Sequence, residues 1–515
     1  MALNLDTLFL AGAVIVLIAV VTARFGARIG MPALLLFLGL GMLLGSNLVN
    51  IDFENAKLAH DLGFVALALI LAEGGLTTKW SDIRSHIGLA AVLATLGVLV
   101  SIGLVGVFGY FVLHLPVGVA VLLGAITAPT DAAAVFSVLR GLSLPHRVLA
   151  ALEGESGLND APTVLLVVAA TQYVMGTPPE GGPWGLAGLI VLELVGGLVL
   201  GLAVGVVGRG LLRRVALPSS GLYPIATLAW AVVAYGLGSV IHLSGFAAVY
   251  VCAVVLGNAD LPHRHATRSF AEGVGWIAQI GLFVMLGLLA VHEHITWQSV
   301  FLAVVAGLFL TLVARPITVW VSAVWFKVPW REQLFLSWAG LRGAVPIILA
   351  TVPLAAGITD SHLLFGIVFV FVVVFTAIQA PTLPWVAKRL GLIDPWAPFD
   401  LDIEVAPLEE RRADLLRVSV PPGSKLAGLA VRELRLPPHV VIALVMRGDE
   451  SFSPHGHTML RAGDDLLVVT PAALREGVEA RLAELGRGGR LARWLGHVKP
   501  ETSVQAKTDT SGEAK

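Results

Sequence analysis

HRVLAALEGESGLNDAPTVLLVVAA, residues 146–170, is the stretch on which the fold turns. It is long enough to cross a bilayer as a helix, yet it carries Glu153, Glu155, Asn159 and Asp160. Carboxylates at membrane depth are costly and mark a functional site. Residues four apart share a helix face, so Ser156 and Asp160 present a hydroxyl and a carboxylate together. Glu155 and Asn159 repeat the spacing, rotated by about 100°. The first stripe offers the oxygen ligands that suit a hard alkali cation, and the second holds a glutamate that needs a positive partner. Helix-packing glue is the plainer explanation, and four polar groups at paired spacing argue against it.

The composition around this stretch agrees. Hydrophobic residues make up 57% of the 515 and charged residues 13%, with mean hydropathy +0.86, which excludes an ordinary soluble enzyme. A net charge of −1 offers no nucleic-acid surface. The single cysteine, Cys252, excludes an intrachain disulfide and a cysteine-clustered metal centre. The histidines lack metal-ligand spacing, so no cofactor is expected; His263 and His265 are either solvated loop residues or pH sensors. At the N-terminus Arg24 and Arg28 follow the apolar run, the reverse of a cleaved signal peptide, so that run reads as the first membrane helix.

About thirteen apolar stretches near span length begin around Leu8, Met31, Leu58, Ile87, Val117, Val148, Leu186, Gly221, Leu243, Phe270, Val300, Leu334 and His362. The expected fold is therefore an all-α polytopic membrane body. One set of connections carries basic residues from Arg24 and Lys79 to Lys388 and Arg389, whereas the opposite set carries Lys57 alone. By the positive-inside bias the N-terminus lies outside and the C-terminus in the cytoplasm, in a bacterial inner membrane. Beyond Gly391 the pattern changes to the short apolar runs LLRVSV, HVVIALVM and DLLVVT and a helical ALREGVEARLAEL. The expected domains are a membrane body over 1–392, a linker over 393–410, a small cytoplasmic α/β domain over 411–486 and a polar, disordered tail over 487–515.

Two spans contain breaks. In LLGAITAPTDAAAVFSV (122–138), Pro129 removes a backbone donor beside Thr130 and Asp131. In FLSWAGLRGAVPIILATVPL (335–354), Gly340, Gly343 and Pro346 surround Arg342. Interrupted helices in opposite halves of a chain point to an inverted-repeat transporter whose half-helix ends bind ions. Asp131 suits positive helix N-termini and Arg342 negative C-termini; a kink-filling aspartate and a snorkelling arginine are the plainer alternatives. Arg315, the other basic residue within the spans, is the natural partner for Glu155. Glu73 either lines a cytoplasmic funnel as a further ligand or snorkels to the interface, and Glu153, Glu193 and Glu272 read as interfacial or packing residues.

At these residues the chain resembles the cation:proton antiporter-1 family, the NhaP and CvrA-like potassium or sodium proton antiporters. GESGLNDAP (154–162), APTDAAAV, VARPITV and AGLRGAVP resemble four of its motifs, in order. The resemblance covers roughly residues 5 to 390. It implies thirteen helices in inverted repeats, with the fifth and twelfth crossing at their breaks, a mobile core domain, and a dimerisation domain that makes a homodimer. Carried over, it makes Asp160 the carrier of cation and proton, with Ser156, Asp131 and the Thr130 carbonyl as co-ligands and Glu73 as a further one. Glu155, Asn159 and Arg315 become a buried polar cluster. Asparagine at 159 resembles the electroneutral branch, one proton per cation. Residues 426–470 resemble the C-terminal RCK domain, TrkA-C; no G-x-G-x-x-G unit precedes it, so NAD binding is not implied, and a small-molecule regulator is left open.

The expected activity is secondary active exchange of potassium for protons, serving pH homeostasis, with sodium or lithium as the alternative ion. It is transport rather than enzymatic catalysis. An RCK-gated cation channel is a remote competitor, because no TVGYG-like filter is present.

Overall fold

The computed structural model describes residues 5–393 and 403–488, apart from residues 30, 46–52, 54, 140–143, 178–181, 293–294, 409–412, 422, 449 and 472–473. The chain divides into two compact units, Met1–Ile393 and Asp394–Lys515.

The first unit is built from helices α1 (Leu5–Ile29), α2 (Ala33–Gly45), α3 (Ala56–Thr77), α4 (Trp80–Ile83), α5 (Ile87–Val92), α6 (Val98–Phe111), α7 (Val117–Thr127), α8 (Ala132–Leu139), α9 (His146–Val174), α10 (Gly182–Arg214), α11 (Leu222–Val240), α12 (Gly245–Gly257), α13 (Arg264–His292), α14 (Trp297–Phe309), α15 (Arg315–Ala323), α16 (Trp330–Trp338), α17 (Ala344–Ala355) and α18 (Ser361–Arg389). A helix satisfies its own backbone groups, which is what the hydrocarbon region demands. Seven helical stretches among the described residues are long and apolar enough to cross a membrane, joined by shorter apolar helices such as α2, α7, α12 and α17. Two of the seven are continuous runs with a wide turn inside: α5 and α6 are joined by the π-turn Leu93–Gly97, and α14 and α15 by the π-turn Leu310–Ala314.

The helices sort into two bundles. In the first, α2 and α3 pack on α13, and α12 packs on α3, α10 and α11. Small residues allow close approach here: a Cβ at Gly287 would lie 2.9 Å from the Gly41 Cα. In the second, α6 packs on α7, α5 and α7 on α9, and α14 and α17 on α18. The bundles meet where α9 and α17 lie against α3, α12 and α13. Two helices of the second bundle are interrupted: α7 stops at Thr127 and α8 starts at Ala132, while α16 stops at Trp338 and α17 starts at Ala344.

The second unit holds β1 (Ile403–Leu408), β2 (Ala413–Ser419), β3 (Val441–Arg447), β4 (Glu450–Phe452), β5 (Asp464–Pro471) and α19 (Arg475–Gly488). The strands form one antiparallel sheet in the order β1-β2-β5-β3-β4. Strand β5 alternates buried and half-buried residues, the period-2 pattern of a sheet with one packed face. Leu416, Val418, Val445, Leu466 and Val468 meet Val478 and Leu482 of α19 in a separate core. Two expectations are corrected here. Residues 403–408, read as linker, are strand β1, paired with β2 from Ile403↔Val418 to Leu408↔Ala413. The layout is an antiparallel sheet with a single α-helix among the described residues, where an α/β domain was expected. Hairpin connections such as Arg447 to Glu450 are too short to hold crossover helices. The expected disordered tail lies, beyond residue 488, outside the described residues.

Candidate cation and proton site

Pro129 has no N–H to give, and the backbone leaves the helical path between Thr127 and Ala132. The open stretch crosses the second break. The Asp131 amide donates to the Leu341 carbonyl at 2.8 Å, and the Asp131 Oδ1 accepts from the Ala134 amide at 3.2 Å, capping α8. The same carboxylate lies against Gly343, where any Cβ would collide with it. Asp131 therefore sits at the N-terminal ends of both α8 and α17, where helix dipoles favour negative charge.

Arg342 does the opposite work. Buried at the crossing, its Nε donates to the Thr127 carbonyl at 3.3 Å and its Nη1 to the Gly340 carbonyl. These are carbonyls at the C-terminal ends of α7 and α16, where a cation is favoured. The Thr376 hydroxyl of α18 donates to the Arg342 carbonyl at 2.7 Å, tying down the break from a third helix.

Helix α9 passes beside the crossing. Glu155 accepts two hydrogen bonds from Arg315, at 2.5 and 2.8 Å, and both side chains are buried. Arg315 Nη2 also reaches the Leu336 carbonyl at 3.4 Å. Gly340 makes this possible: a Cβ there would lie 2.7 Å from Arg315 Nε and 3.0 Å from Arg342 Nη1. Asn159, fully buried, donates its Nδ2 to the Thr130 hydroxyl at 3.2 Å. The two polar groups of that stripe thus have different partners: Glu155 is tied to Arg315, and Asn159 to the broken segment.

Asp160 is 6% exposed, its Oδ1 has no hydrogen-bond partner, and Asp131 lies near enough to act on it as a like charge. Ser156, one turn earlier on the same face, is half-buried. Glu73 packs against Gly275 of α13 with Glu272 as its charged neighbour. The structure thus brings Thr130, Asp131, Asn159, Glu155, Arg315 and Arg342 into one polar knot around the crossing, with Asp160 beside Asp131. Sequence reasoning missed Thr127 and Thr376. Their partners are a side chain and a carbonyl of the distant second break, and no local pattern announces them. Glu153, read as an interfacial or packing residue, accepts from the Thr78 hydroxyl at 3.1 Å.

With this geometry in place, likeness to known proteins is informative. Residues 13–389 match the transmembrane sodium/hydrogen exchanger family, and residues 415–482 match the TrkA-C domain. Over 511 residues the chain is 32% identical to the K(+)/H(+) antiporter NhaP2 of Shewanella baltica, covering 98% of this chain and 87% of that one. It is 38% identical over 397 residues to the K(+)/H(+) antiporter NhaP of Alkalimonas amylolytica, 76% of this chain and 68% of that one. The Na(+)/H(+) antiporter NhaH of Halobacillus dabanensis is 29% identical over 64% of this chain and 82% of its own. The fold is that of the sodium proton antiporter MjNhaP1 of Methanocaldococcus jannaschii, with a TM-score of 0.63 at 22% identity over 74% of this chain and 97% of that one. Two crossed interruptions, a buried carboxylate at Asp160 beside Asp131 and a match over most of its length lead to one conclusion: the chain belongs to the sodium/hydrogen exchanger family of membrane antiporters and carries a TrkA-C domain after the exchanger body.

Proposed function

We propose that the protein exchanges a monovalent cation, potassium in preference to sodium, for a proton, with Asp160 as the carrier. The observation that carries this reading is the buried Asp160 carboxylate with an unpartnered oxygen beside a second carboxylate, Asp131. A buried carboxylate beside a second negative charge is not stable out of water without a counter-charge. A proton or an alkali cation must accompany Asp160, and each displaces the other. Asp131, the Ser156 hydroxyl and the Thr130 carbonyl complete the cation's oxygen shell, and Glu73 stands further out as a secondary ligand.

Glu155 with Arg315, and Asn159 with Thr130, hold the crossing rigid, while Arg342 compensates the facing carbonyl ends. The bundle carrying α9 moves against the other to expose the loaded site to alternate sides. Asparagine at 159 leaves one titrating carrier on this helix, hence electroneutral exchange. Counting each broken pair and each run joined by a π-turn as one crossing, and leaving out the one-turn helix α4, supports a body of thirteen crossings. The N-terminus is then outside and the C-terminus in the cytoplasm of a bacterial inner membrane. The protein works as a homodimer, with a small molecule acting on the TrkA-C domain. Potassium is favoured because a relative named for potassium matches 98% of the chain, TrkA-C domain included, whereas a relative named for sodium, NhaH, matches 64%.

Acid-loaded proteoliposomes containing a pH dye test this. Added potassium chloride alkalinises the lumen with the wild-type protein, and Asp160→Asn responds no faster than empty liposomes. Exchange retained in Asp160→Asn would overturn the reading; a larger response to sodium chloride would change the ion and leave the mechanism.

A further inference from the structure

Helix α9 places Glu153, Gly157 and Asp160 at positions i, i+4 and i+7, one face. Gly157 is covered by a side chain from the other bundle: a Cβ there would clash with the hydroxyl oxygen of Tyr250 of α12 and lie 2.5 Å from its ring. Tyr250 is buried, its hydroxyl lies beside the Thr78 side chain, and Glu153 and Asp160 are its charged neighbours. Thr78 in turn donates to Glu153 Oε1 at 3.1 Å. Three oxygens of different origin, a carboxylate, a threonine hydroxyl and a phenol, thus converge next to the carrier.

The frame behind them is stiff on one side only. Asn258, closing α12, donates to the Thr78 carbonyl at 2.9 Å and accepts from the Trp80 amide at 2.8 Å. A Cβ at Gly75 would lie 2.6 Å from that of Ala253, so α3 and α12 are in close contact. Arg268 of α13 adds hydrogen bonds to the Leu76 and Thr77 carbonyls, at 3.4 and 3.2 Å. Thr78 and Tyr250 therefore belong to the first bundle, and Glu153 and Asp160 to the second. The basic residues Lys79, Arg84 and Arg147 near these segments put this end on the cytoplasmic side by the charge bias.

We propose that Thr78, Glu153 and Tyr250 form an outer stop for the monovalent cation in front of Asp160, with the Tyr250 ring on Gly157 as the shutter between them. This rests on Asp160 being the carrier. A cation arriving from the cytoplasm exchanges water for the Glu153 carboxylate and the two hydroxyls. It passes to Asp160 when the ring swings off Gly157. Movement of α9 past α3 and α12 separates Glu153 from Thr78 and dismantles the stop, so it serves the cytoplasmic face alone.

Everted and right-side-out vesicles from cells without antiporters of their own test the proposal, with the half-saturating potassium concentration as the readout. In everted vesicles, Glu153→Gln raises that concentration about tenfold, the scale of losing one charged ligand. Tyr250→Phe, which keeps the ring and removes the hydroxyl, raises it roughly threefold. Right-side-out vesicles show no such rise. A residue that merely supports the fold lowers the maximal rate on both faces and leaves half-saturation unchanged, and that result overturns the proposal, as does an equal rise on both faces. Thr78→Val answers the same question if Glu153→Gln fails to reach the membrane. Asp160→Asn, run in parallel, separates the two ideas. Its retained exchange removes the carrier reading itself, whereas an inactive Asp160→Asn beside unaltered Glu153→Gln and Tyr250→Phe removes only the outer stop.

Discussion

Arg315 and Glu155 show how a single ion pair organises this membrane interior. Both groups are buried and joined by two short hydrogen bonds, and removing one partner leaves the other charge stranded. Arg315→Leu is therefore expected to cost about 3–5 kcal/mol, seen as a lower melting temperature and a lower yield of folded protein in detergent. Glu155→Gln with Arg315→Leu should recover part of the loss; a single Arg315→Leu melting like wild type would contradict the pairing. This pair was legible in the sequence, because only two basic residues lie within the apolar spans and a buried glutamate needs one of them. The partners of Arg342 were not legible. Beyond the neighbouring Gly340 carbonyl they are the carbonyl of Thr127, 215 residues away at the other break, and the hydroxyl of Thr376, 34 residues away on α18, and only the tertiary fold puts them within reach. Tyr250 was hidden for the same reason, since its role comes from the missing Cβ of Gly157 on another helix.

At the scale of elements, the interrupted helices carry the chemistry, and their closeness depends on glycine. Gly343→Ala places a methyl group on the Asp131 carboxylate and should lower exchange by roughly tenfold or more, as expected when a ligand group is displaced. Gly281→Ala, in α13 with nothing near its Cβ position, should keep wild-type exchange. Equal activity in the two variants would remove Asp131 from the site. Pro129 and the Gly340 to Pro346 cluster make both breaks readable in the sequence, because each residue changes what the backbone can do. The π-turns at Leu93–Gly97 and Leu310–Ala314 were not readable. Their sequences are ordinary helix-forming runs, and the first wide turn goes with the packing of Gly97 against Thr318 and Ser322. Strand β1 was missed because IEVAPL has no strong alternation of its own; its order comes from pairing with β2.

At the scale of the molecule, an exchanger body and a TrkA-C domain have separate cores and should fail under different conditions. In the TrkA-C sheet, burial alone would raise the Asp464 carboxyl, but hydrogen bonds from Arg447 and the Arg461 amide hold it below its ordinary value. Ser419 and Arg417 do the same for Asp465. Carboxyls lowered in the folded state add stability above their unfolded value of about 3.9 and lose it as pH falls through the folded values. Hydrogen exchange of β5 in the full chain should be equally slow at neutral and mildly acidic pH and accelerate below about pH 4. Asp464→Asn should lower protection at neutral pH and flatten that acid loss; an unchanged profile would contradict the assignment. The membrane body depends on a different balance, the rivalry of proton and cation for one buried carboxylate. Proton release from purified protein in weakly buffered detergent tests it most directly. Saturating potassium should release about one proton per chain from the wild-type protein and none from Asp160→Asn. Binding of potassium without proton release, or equal release from both proteins, would contradict the account.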